Sequence, residues 1–281
     1  MGLEIVPATE ATLAEIEAWL KAEQAAHEAA AAILAERWAS DVEIPERGFL
    51  CNWHLVRRSF SRDPNNVHVL VADGAAMGFV DEMDILEVRP DQRGKGYGRR
   101  LAEFMLGRAF DQGYSVAEIE IAPESALPFW REMGFTADVT RQGGGGGIYA
   151  FKRFDRPYVL GNGPRVAYRV AFHPPDRDWD RATAPFQVFD GHGERLADGR
   201  VQLQERAYCF DETTATSLDC VVRLELAGEC LFEDKVKRPA AQSFGLQVDP
   251  GDTYFLDFMT PEARDARYSN SIDVLAIKPP P

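Results

Sequence analysis

Residues 85–98, ILEVRPDQRGKGYG, are the part of this sequence that most clearly points to chemistry. An apolar run that predicts a strand leads into a turn containing Gly94, Gly96 and Gly98, and a helix is expected to follow directly. Glycine allows the backbone to approach a ligand closely, and a new helix offers unpaired N–H groups and the positive end of its dipole. The segment therefore predicts a cradle for phosphate groups.

The glycine spacing differs from that of two other phosphate-binding loops. Dinucleotide-binding folds use G-x-G-x-x-G, with an acidic residue ending a second strand about 20 residues further on. Here the spacing is G-x-G-x-G, and a whole predicted helix precedes the next strand. The segment also lacks the Lys-Ser/Thr pair of a P-loop. A plain glycine-rich turn without a ligand is the alternative interpretation.

A second segment, residues 126–135 (ALPFWREMGF), predicts a short helix ended by Gly134. Together with RGKGYG at residues 93–98 and VRP at residues 88–90, it makes the sequence resemble the GNAT superfamily of acyl-CoA-dependent N-acyltransferases. The corresponding family motifs are Q/R-x-x-G-x-G/A and A-x-x-F-Y-x-x-x-G-F. The resemblance covers residues 1–155 and implies an α+β fold, with a mixed, mostly antiparallel sheet flanked by helices.

The resemblance also implies acetyl-CoA as the cosubstrate. In this family the fourth and fifth strands splay apart, and pantetheine pairs with the fourth strand like an added strand. That role would fall to the backbone of Leu86, Glu87 and Val88, and Trp130 is expected to line the same site. The residues expected to hold the CoA pyrophosphate are Arg93, Gly94, Lys95, Gly96, Tyr97, Gly98 and Arg99.

The implied reaction is direct attack of a primary amine on acetyl-CoA. An alkylammonium ion has a pKa of about 10, so a base must first remove a proton. The candidate bases are the carboxylates near the predicted fourth strand, namely Glu82, Asp84 and Glu87, each of which could instead be an exposed carboxylate at a strand end. The acceptor would be a small cationic molecule or a protein amine.

Two residues depart from the family pattern. Trp130 stands where the family often has a Tyr that protonates the departing thiolate, and Pro123 replaces an Asn that contacts pantetheine. Tyr149 is a substitute candidate for the acid, with a buried structural Tyr as the alternative. These departures support a second hypothesis, a catalytically inactive CoA-binding regulatory module whose output is carried by the C-terminal domain.

Alternating strands and helices are predicted to position these residues up to about residue 155. A long helix is expected from a Thr12–Glu15 capping box to about Ser40. Its apolar stripe is interrupted at Glu23, and His27, on the same stripe, is expected to pack in the core. The other predicted elements are a strand at 3–6, a helix at 52–61, strands at 67–72, 77–81 and 85–88, a helix at 99–111, a strand at 116–122, a helix at 125–133, and strands at 135–141 and 148–154 joined by a mobile loop of glycines at 143–147.

The pattern changes after residue 155. Val166, Tyr168, Val170 and Phe172 alternate with polar residues, and further alternating runs are separated by Asp-Gly and Pro-Gly turns. Many short strands with such turns are typical of an all-β sandwich or barrel. The sequence therefore predicts two domains, a GNAT-like acetyltransferase domain at residues 1–155 and a β-sandwich accessory domain at residues 156–281.

Composition limits the kinds of partner. The 281 residues carry a formal net charge of −14, which argues against nucleic acid or an anionic membrane as a partner. No apolar run is long enough for a transmembrane helix. The four cysteines show no metal-ligand spacing, so no metal is expected. They are interpreted as thiols in a reducing compartment, so the predicted location is the cytoplasm. A homodimer is compatible with the sequence.

Overall fold

A computed structural model of the chain describes residues 2–37, 49–175, 184–212 and 220–261. Contacts between Cα atoms divide the chain into two compact units. One unit consists of Met1–Asp111 and Ala117–Lys152, and the other of Gln112–Val116 and Arg153–Pro281. The chain therefore passes from one unit to the other three times.

The first unit has the mixed α+β architecture predicted for this part of the chain. A four-stranded antiparallel sheet has the order β1-β2-β3-β4, and a three-stranded sheet has the order β5-β7-β6. The elements are β1 (Leu3–Pro7), α1 (Glu10–Arg37), α2 (Trp53–Arg62), β2 (Val67–Ala72), β3 (Ala75–Asp81), β4 (Ile85–Val88), α3 (Tyr97–Gln112), β5 (Val116–Ile121), α4 (Leu127–Glu132), β6 (Thr136–Gln142) and β7 (Ile148–Arg153).

Helix α1 begins earlier than its predicted cap. The Thr9 and Thr12 hydroxyl oxygens each accept the backbone N–H of the other residue, at 3.2 and 2.9 Å, so the helix begins at Glu10. The predicted capping residue, Glu15, instead accepts the N–H of Ala76 on β3 at 3.0 Å. The helix is continuous to Arg37, and its predicted end near Ser40 lies outside the described residues.

The core of the first unit fills the space between α1, α2 and β3. The apolar stripe of α1 contributes Leu13, Ile16 and Leu20, which are almost fully buried. They pack in one cluster with Val56 of α2 and Phe79 of β3. This packing holds α1 against the face of the four-stranded sheet.

The glycine loop between β6 and β7 is anchored by hydrogen bonds, and its expected mobility remains a prediction. The two carboxylate oxygens of Glu120 on β5 accept the N–H groups of Gly145 and Gly147 at 2.8 and 2.7 Å. The loop also closes on itself, since the Gly143 N–H donates to the Gly147 carbonyl at 2.8 Å. The loop therefore wraps around a carboxylate.

The second unit is built mainly from strands, as predicted. Its described strands form one curled sheet of the order β12-β11-β8-β9-β10-β14-β13 around a single core. Because these strands share one sheet, the two-sheet sandwich remains a prediction. The elements are β8 (Arg165–His173), β9 (Gln187–Arg195), β10 (Val201–Tyr208), β11 (Val221–Leu226), β12 (Glu229–Lys235), α5 (Pro239–Ser243), β13 (Gln247–Val248) and β14 (Tyr254–Met259).

Candidate active site

A cavity of about 600 Å³ lies in the first unit beside β4. It is bordered by α1, by β4, by the glycine-rich turn at the start of α3, and by the segment that leads into α4. Its wall includes Glu23, His27, Leu86, Glu87, Val88, Arg93, Gly94, Gly96, Gly98, Arg99, Ala122, Pro123, Phe129 and Trp130. Two sequence segments that are more than 20 residues apart, the glycine turn and α4, thus meet at one site.

The sheet is interrupted at this cavity. β4 is the last strand of the four-stranded sheet, β5 is the first of the three-stranded sheet, and no ladder between these two strands is present in the described structure. Ala122 and Pro123, directly after β5, line the same cavity as β4. The gap between the fourth and fifth strands that the sequence implied is therefore present.

The register of β4 shows which of its backbone groups face away from β3. The Arg89 N–H donates to the Met77 carbonyl of β3 at 2.9 Å, and directions alternate along an antiparallel strand. Glu87 therefore points its N–H and C=O toward β3. Leu86 and Val88 point theirs toward the outer edge, where an extended ligand could pair with them.

The turn before α3 requires glycine at two positions. Gly94 and Gly96 have φ values of +78° and +85°, in the left-handed region that other residues rarely adopt. Gly98 lies within the first turn of α3, and a Cβ there would be 3.7 Å from the Phe129 ring, an ordinary contact. The turn thus leads into the N-terminus of a 16-residue helix beginning at Tyr97, a favourable place for a phosphate.

Two of the cations near this turn pair with residues at the protein surface. Lys95 Nζ donates to Gln92 Oε1 at 2.8 Å, and Arg99 Nη2 donates to Glu132 Oε2 at 2.9 Å. The Arg99 and Glu132 side chains are both largely exposed. The exposed Arg99–Glu132 ion pair is weak, so Arg99, which lines the cavity, remains available to a ligand there. Lys95 and Tyr97, which were also expected at the site, are not among the residues that line the cavity.

Arg93 behaves differently because its side chain turns back toward β4. Its Nε donates to the Val88 carbonyl at 3.1 Å. Its Nη2 lies 2.8 Å from Glu23 Oε1 and 3.4 Å from Glu87 Oε2. One guanidinium therefore links α1 to β4 along the outer edge of β4.

Glu87 is the predicted base that lines the cavity. Burial raises the pKa of Glu87 to about 7, and nearby Glu23 adds to the rise, while Arg93 and the Val88 backbone act in the opposite direction. A carboxyl group that titrates near neutral pH can accept a proton from an amine.

The other two candidate bases lie elsewhere. Glu82 and Asp84 are exposed in the turn between β3 and β4 and do not line the cavity. Glu82 has a φ of +45°, and its N–H donates to the Asn66 carbonyl at 3.1 Å. Glu82 therefore lies in a tight hairpin turn, at the opposite end of β4 from the glycine turn.

Tyr149, the candidate acid, also lies away from the cavity wall. It is buried on β7, its hydroxyl donates to a Glu118 carboxylate oxygen, and the Arg141 guanidinium lies 3.6 Å from its ring centre. Burial and the Glu118 carboxylate raise the pKa of Tyr149. Trp130 does line the cavity, where it packs between Phe129 and Phe135 with ring centres 5.0 and 5.3 Å apart.

Two cavity residues on α1 were not identified from the sequence. His27 was expected in the core, but it borders the cavity, as does Glu23. Glu23 Oε2 is buried and has no hydrogen-bond partner among the described residues. The sequence carried one indication of this role, because a polar residue, Glu23, interrupts the apolar stripe of α1. A helix that packed only against a core would have an apolar residue at that position.

The described residues include neither a cluster of metal ligands nor a helix that could span a membrane. Within residues 2–37, 49–175, 184–212 and 220–261, no three His, Cys, Asp or Glu side chains group as metal ligands would. No helix in the same ranges has the length and apolar character needed to span a membrane.

Solved structures similar to this chain include three acetyltransferase-related proteins. PaiA N-acetyltransferase of Thermoplasma acidophilum, crystallised with coenzyme A, is 14% identical with a TM-score of 0.38, over 55% of this chain and 100% of that one. Ribosomal-protein-alanine N-acetyltransferase of Brucella melitensis is 20% identical with a TM-score of 0.36, over 54% and 100%. N-acetylglutamate synthase of Neisseria gonorrhoeae is 15% identical with a TM-score of 0.36, over 54% and 35%.

No curated protein sequence matches the chain significantly. The model of the acetyltransferase (GNAT) family does match, over residues 28–135. That range includes the second part of α1, strand β4, the glycine turn and helix α4. The chain therefore contains a domain of the GNAT acetyltransferase family at residues 28–135.

Proposed function

We propose that this protein transfers an acetyl group from acetyl-CoA to a primary amine, with Glu87 as the general base. The observation that carries the proposal is that three features border one cavity: the open edge of β4, the glycine turn before α3, and a largely buried carboxyl group. The acceptor is a small cationic molecule or a protein amine. We further propose that this chemistry belongs to residues 1–155 and that residues 156–281 form the accessory domain.

In this proposal the cofactor is held by backbone groups. Pantetheine pairs with the outward N–H and C=O groups of Leu86 and Val88, and the diphosphate lies against the turn at Gly94 and Gly96 and the start of α3. Backbone N–H groups at the edge of β4 also polarise the thioester carbonyl, as in an oxyanion hole.

The reaction removes two protons from the ammonium group, and the protein accepts the first of them. Glu87 takes a proton from the ammonium group, and the neutral nitrogen then attacks the thioester carbonyl carbon. A C–N bond forms, the C–S bond breaks, CoA leaves as the thiolate, and the second proton of the attacking amine passes to the thiolate or to water. Trp130 cannot supply a proton at working pH, so the proposal assigns no protein acid to this step.

Calorimetric titration of the full-length protein with acetyl-CoA, desulfo-CoA and ATP tests the cofactor assignment. We expect saturable one-site binding that prefers the CoA compounds, followed by amine-dependent release of free thiol. Failure of both CoA compounds to bind would contradict the proposal. Binding without turnover on any amine would favour the inactive CoA-binding module, which the presence of Trp130 in the cavity wall supports.

A pair of matched variants tests the site itself. Gly96→Glu places a bulky anion in the turn and should abolish both binding and turnover. Gly107→Glu makes the same change at an exposed position of α3 with open space around it and should leave both intact. Equal activity of the two variants would refute the assignment of this turn as the binding site of the CoA diphosphate.

A further inference from the structure

Arg93 occupies the edge of β4 that the proposed function leaves to the cofactor. Its Nε hydrogen bond to the Val88 carbonyl, 3.1 Å long, uses a backbone group that faces away from β3. Its Nη2 reaches Glu23 on α1 and Glu87 on β4. A cofactor arm that paired with the outer edge of β4 would meet this guanidinium.

We propose that Arg93 closes the site in the ligand-free protein, and that the diphosphate of acetyl-CoA draws it away. This inference rests on the proposed function. Departure of the guanidinium opens the edge of β4 to pantetheine and releases the carboxylates of Glu23 and Glu87. An amine in the cavity then meets these two carboxylates.

The contacts of Arg93 are of a kind that a diphosphate can replace. The Arg93 side chain is half exposed, so its guanidinium can reach a ligand in the cavity, whereas the Glu23 and Glu87 side chains are only 19% and 20% exposed. A guanidinium binds phosphate oxygens through the same paired, charge-assisted hydrogen bonds that it makes with carboxylates, so a diphosphate can take the place of these partners. Arg93 directly precedes Gly94, whose φ of +78° places it at the glycine turn where the diphosphate is expected.

The carboxylates that Arg93 leaves behind suit an ammonium group. Arg93 Nη2 lies 2.8 Å from Glu23 Oε1 and 3.4 Å from Glu87 Oε2, so a cationic N–H donor already occupies this position. Glu23 Oε2 is buried without a partner in the described structure, and a buried acceptor of this kind favours an added donor. A primary ammonium ion offers up to three such donors.

The test compares acetyl-CoA with S-acetylpantetheine, which carries the same thioester arm but no diphosphate. In Arg93→Ala, acetyl-CoA loses a cation that binds its diphosphate, and its dissociation constant should rise about tenfold. S-acetylpantetheine no longer meets the guanidinium, and its dissociation constant should fall about three- to tenfold. Both constants are measured by isothermal calorimetry on the full-length protein.

Glu23→Gln provides a second test that keeps Arg93 in place. Loss of this anchor lets Arg93 leave more easily, so both ligands should bind about two- to fivefold more tightly. The matched controls are Arg57→Ala and Glu17→Gln, which each remove one member of an ion pair away from the cavity, Arg57–Glu10 and Lys21–Glu17. Neither control should change either dissociation constant.

The outcomes separate this inference from the proposed function. If the wild-type protein does not bind acetyl-CoA, the proposed function fails. If it binds acetyl-CoA but Arg93→Ala weakens both ligands, Arg93 is an ordinary binding residue and the closure is refuted. If Arg93→Ala does not fold, weaker binding of both ligands by Glu23→Gln would refute the closure equally.

Discussion

Glu87 is subject to opposing influences that set its protonation near neutral pH. Burial and Glu23 raise its pKa, Arg93 and the Val88 backbone lower it, and the result is a value of about 7. Glu82 lies at an exposed turn outside the cavity. Position relative to the cavity therefore distinguishes Glu87 from Glu82, and their shared place near the fourth strand of the sequence does not show this difference.

At the residue scale, Glu87→Gln should lower kcat about 10²- to 10⁴-fold, because Gln cannot accept the proton. In the wild-type protein the base is active when deprotonated, so kcat/KM should rise with pH through about 7. The variant should lose this rise. Steady-state rates from pH 5.5 to 8.5 measure the loss of kcat and the pH dependence of kcat/KM. This range extends about 1.5 pH units on either side of the Glu87 pKa. A large loss in Glu82→Gln with none in Glu87→Gln would contradict the assignment.

At the element scale, the glycine turn and α3 use glycine for different reasons. Gly96 needs its positive φ, whereas Gly98 is already helical and has room for a methyl group. Gly96→Ala should therefore lower the free energy of unfolding by about 1–2 kcal/mol, and Gly98→Ala should raise it by up to about 1 kcal/mol. Urea denaturation of the two variants compares them directly, and a loss of similar size in both would contradict this account of the turn.

The loop between β6 and β7 is a second element with a defined anchor. Removal of the carboxylate in Glu120→Ala frees the N–H groups of Gly145 and Gly147. The glycines would then keep only the hydrogen bonds within the loop, such as that from the Gly143 N–H to the Gly147 carbonyl, so amide exchange across residues 143–147 should become at least about tenfold faster. Glu124→Ala, at an exposed position nearby in sequence, is the control. Unchanged exchange in Glu120→Ala would contradict the anchoring.

These elements also show how far the sequence could predict the structure. Apolar periodicity located α1 and the strands because burial imposes the period. The Thr12–Glu15 capping box placed the start of α1 wrongly, since the Glu15 carboxylate accepts the N–H of Ala76, which is distant in the chain. Apolar periodicity placed His27 in the core because a helical stripe does not distinguish a packed neighbour from a cavity wall. The glycine run predicted a mobile loop. Its hydrogen bonds to Glu120 could not be foreseen, because Glu120 lies on another strand.

At the scale of the whole molecule, the alternating pattern after residue 155 predicted strands but not their arrangement. Alternation shows which side of a strand is buried, and it is the same for two packed sheets as for one sheet that curls around its core. The hydrophobic cluster draws on β8, β10, β11, β12 and β14 of one hydrogen-bonded sheet. The number of sheets therefore depends on strand order and curvature, which are long-range properties.

The second unit also includes the short segment Gln112–Val116, which connects α3 to β5. Asp249, which is buried, holds this segment by accepting the Ser115 N–H at 2.7 Å. The same carboxylate accepts the N–H groups of Gly251 and Thr253 at 2.9 and 3.0 Å. One buried side chain thus satisfies three backbone donors from two distant parts of the chain.

Asp249→Ala should be among the most destabilising single substitutions in the second unit. It leaves up to three N–H groups without an acceptor, and each buried unsatisfied donor costs about 1–3 kcal/mol. Partial access of water reduces the sum, so the free energy of unfolding should fall by about 2–4 kcal/mol. Asp198→Ala removes an exposed turn carboxylate paired with Arg200, and it should lower the free energy of unfolding by no more than about 1 kcal/mol. Urea denaturation followed by circular dichroism measures both values. Equal stability of the two variants would mean that Asp249 does not hold Gln112–Val116 in place.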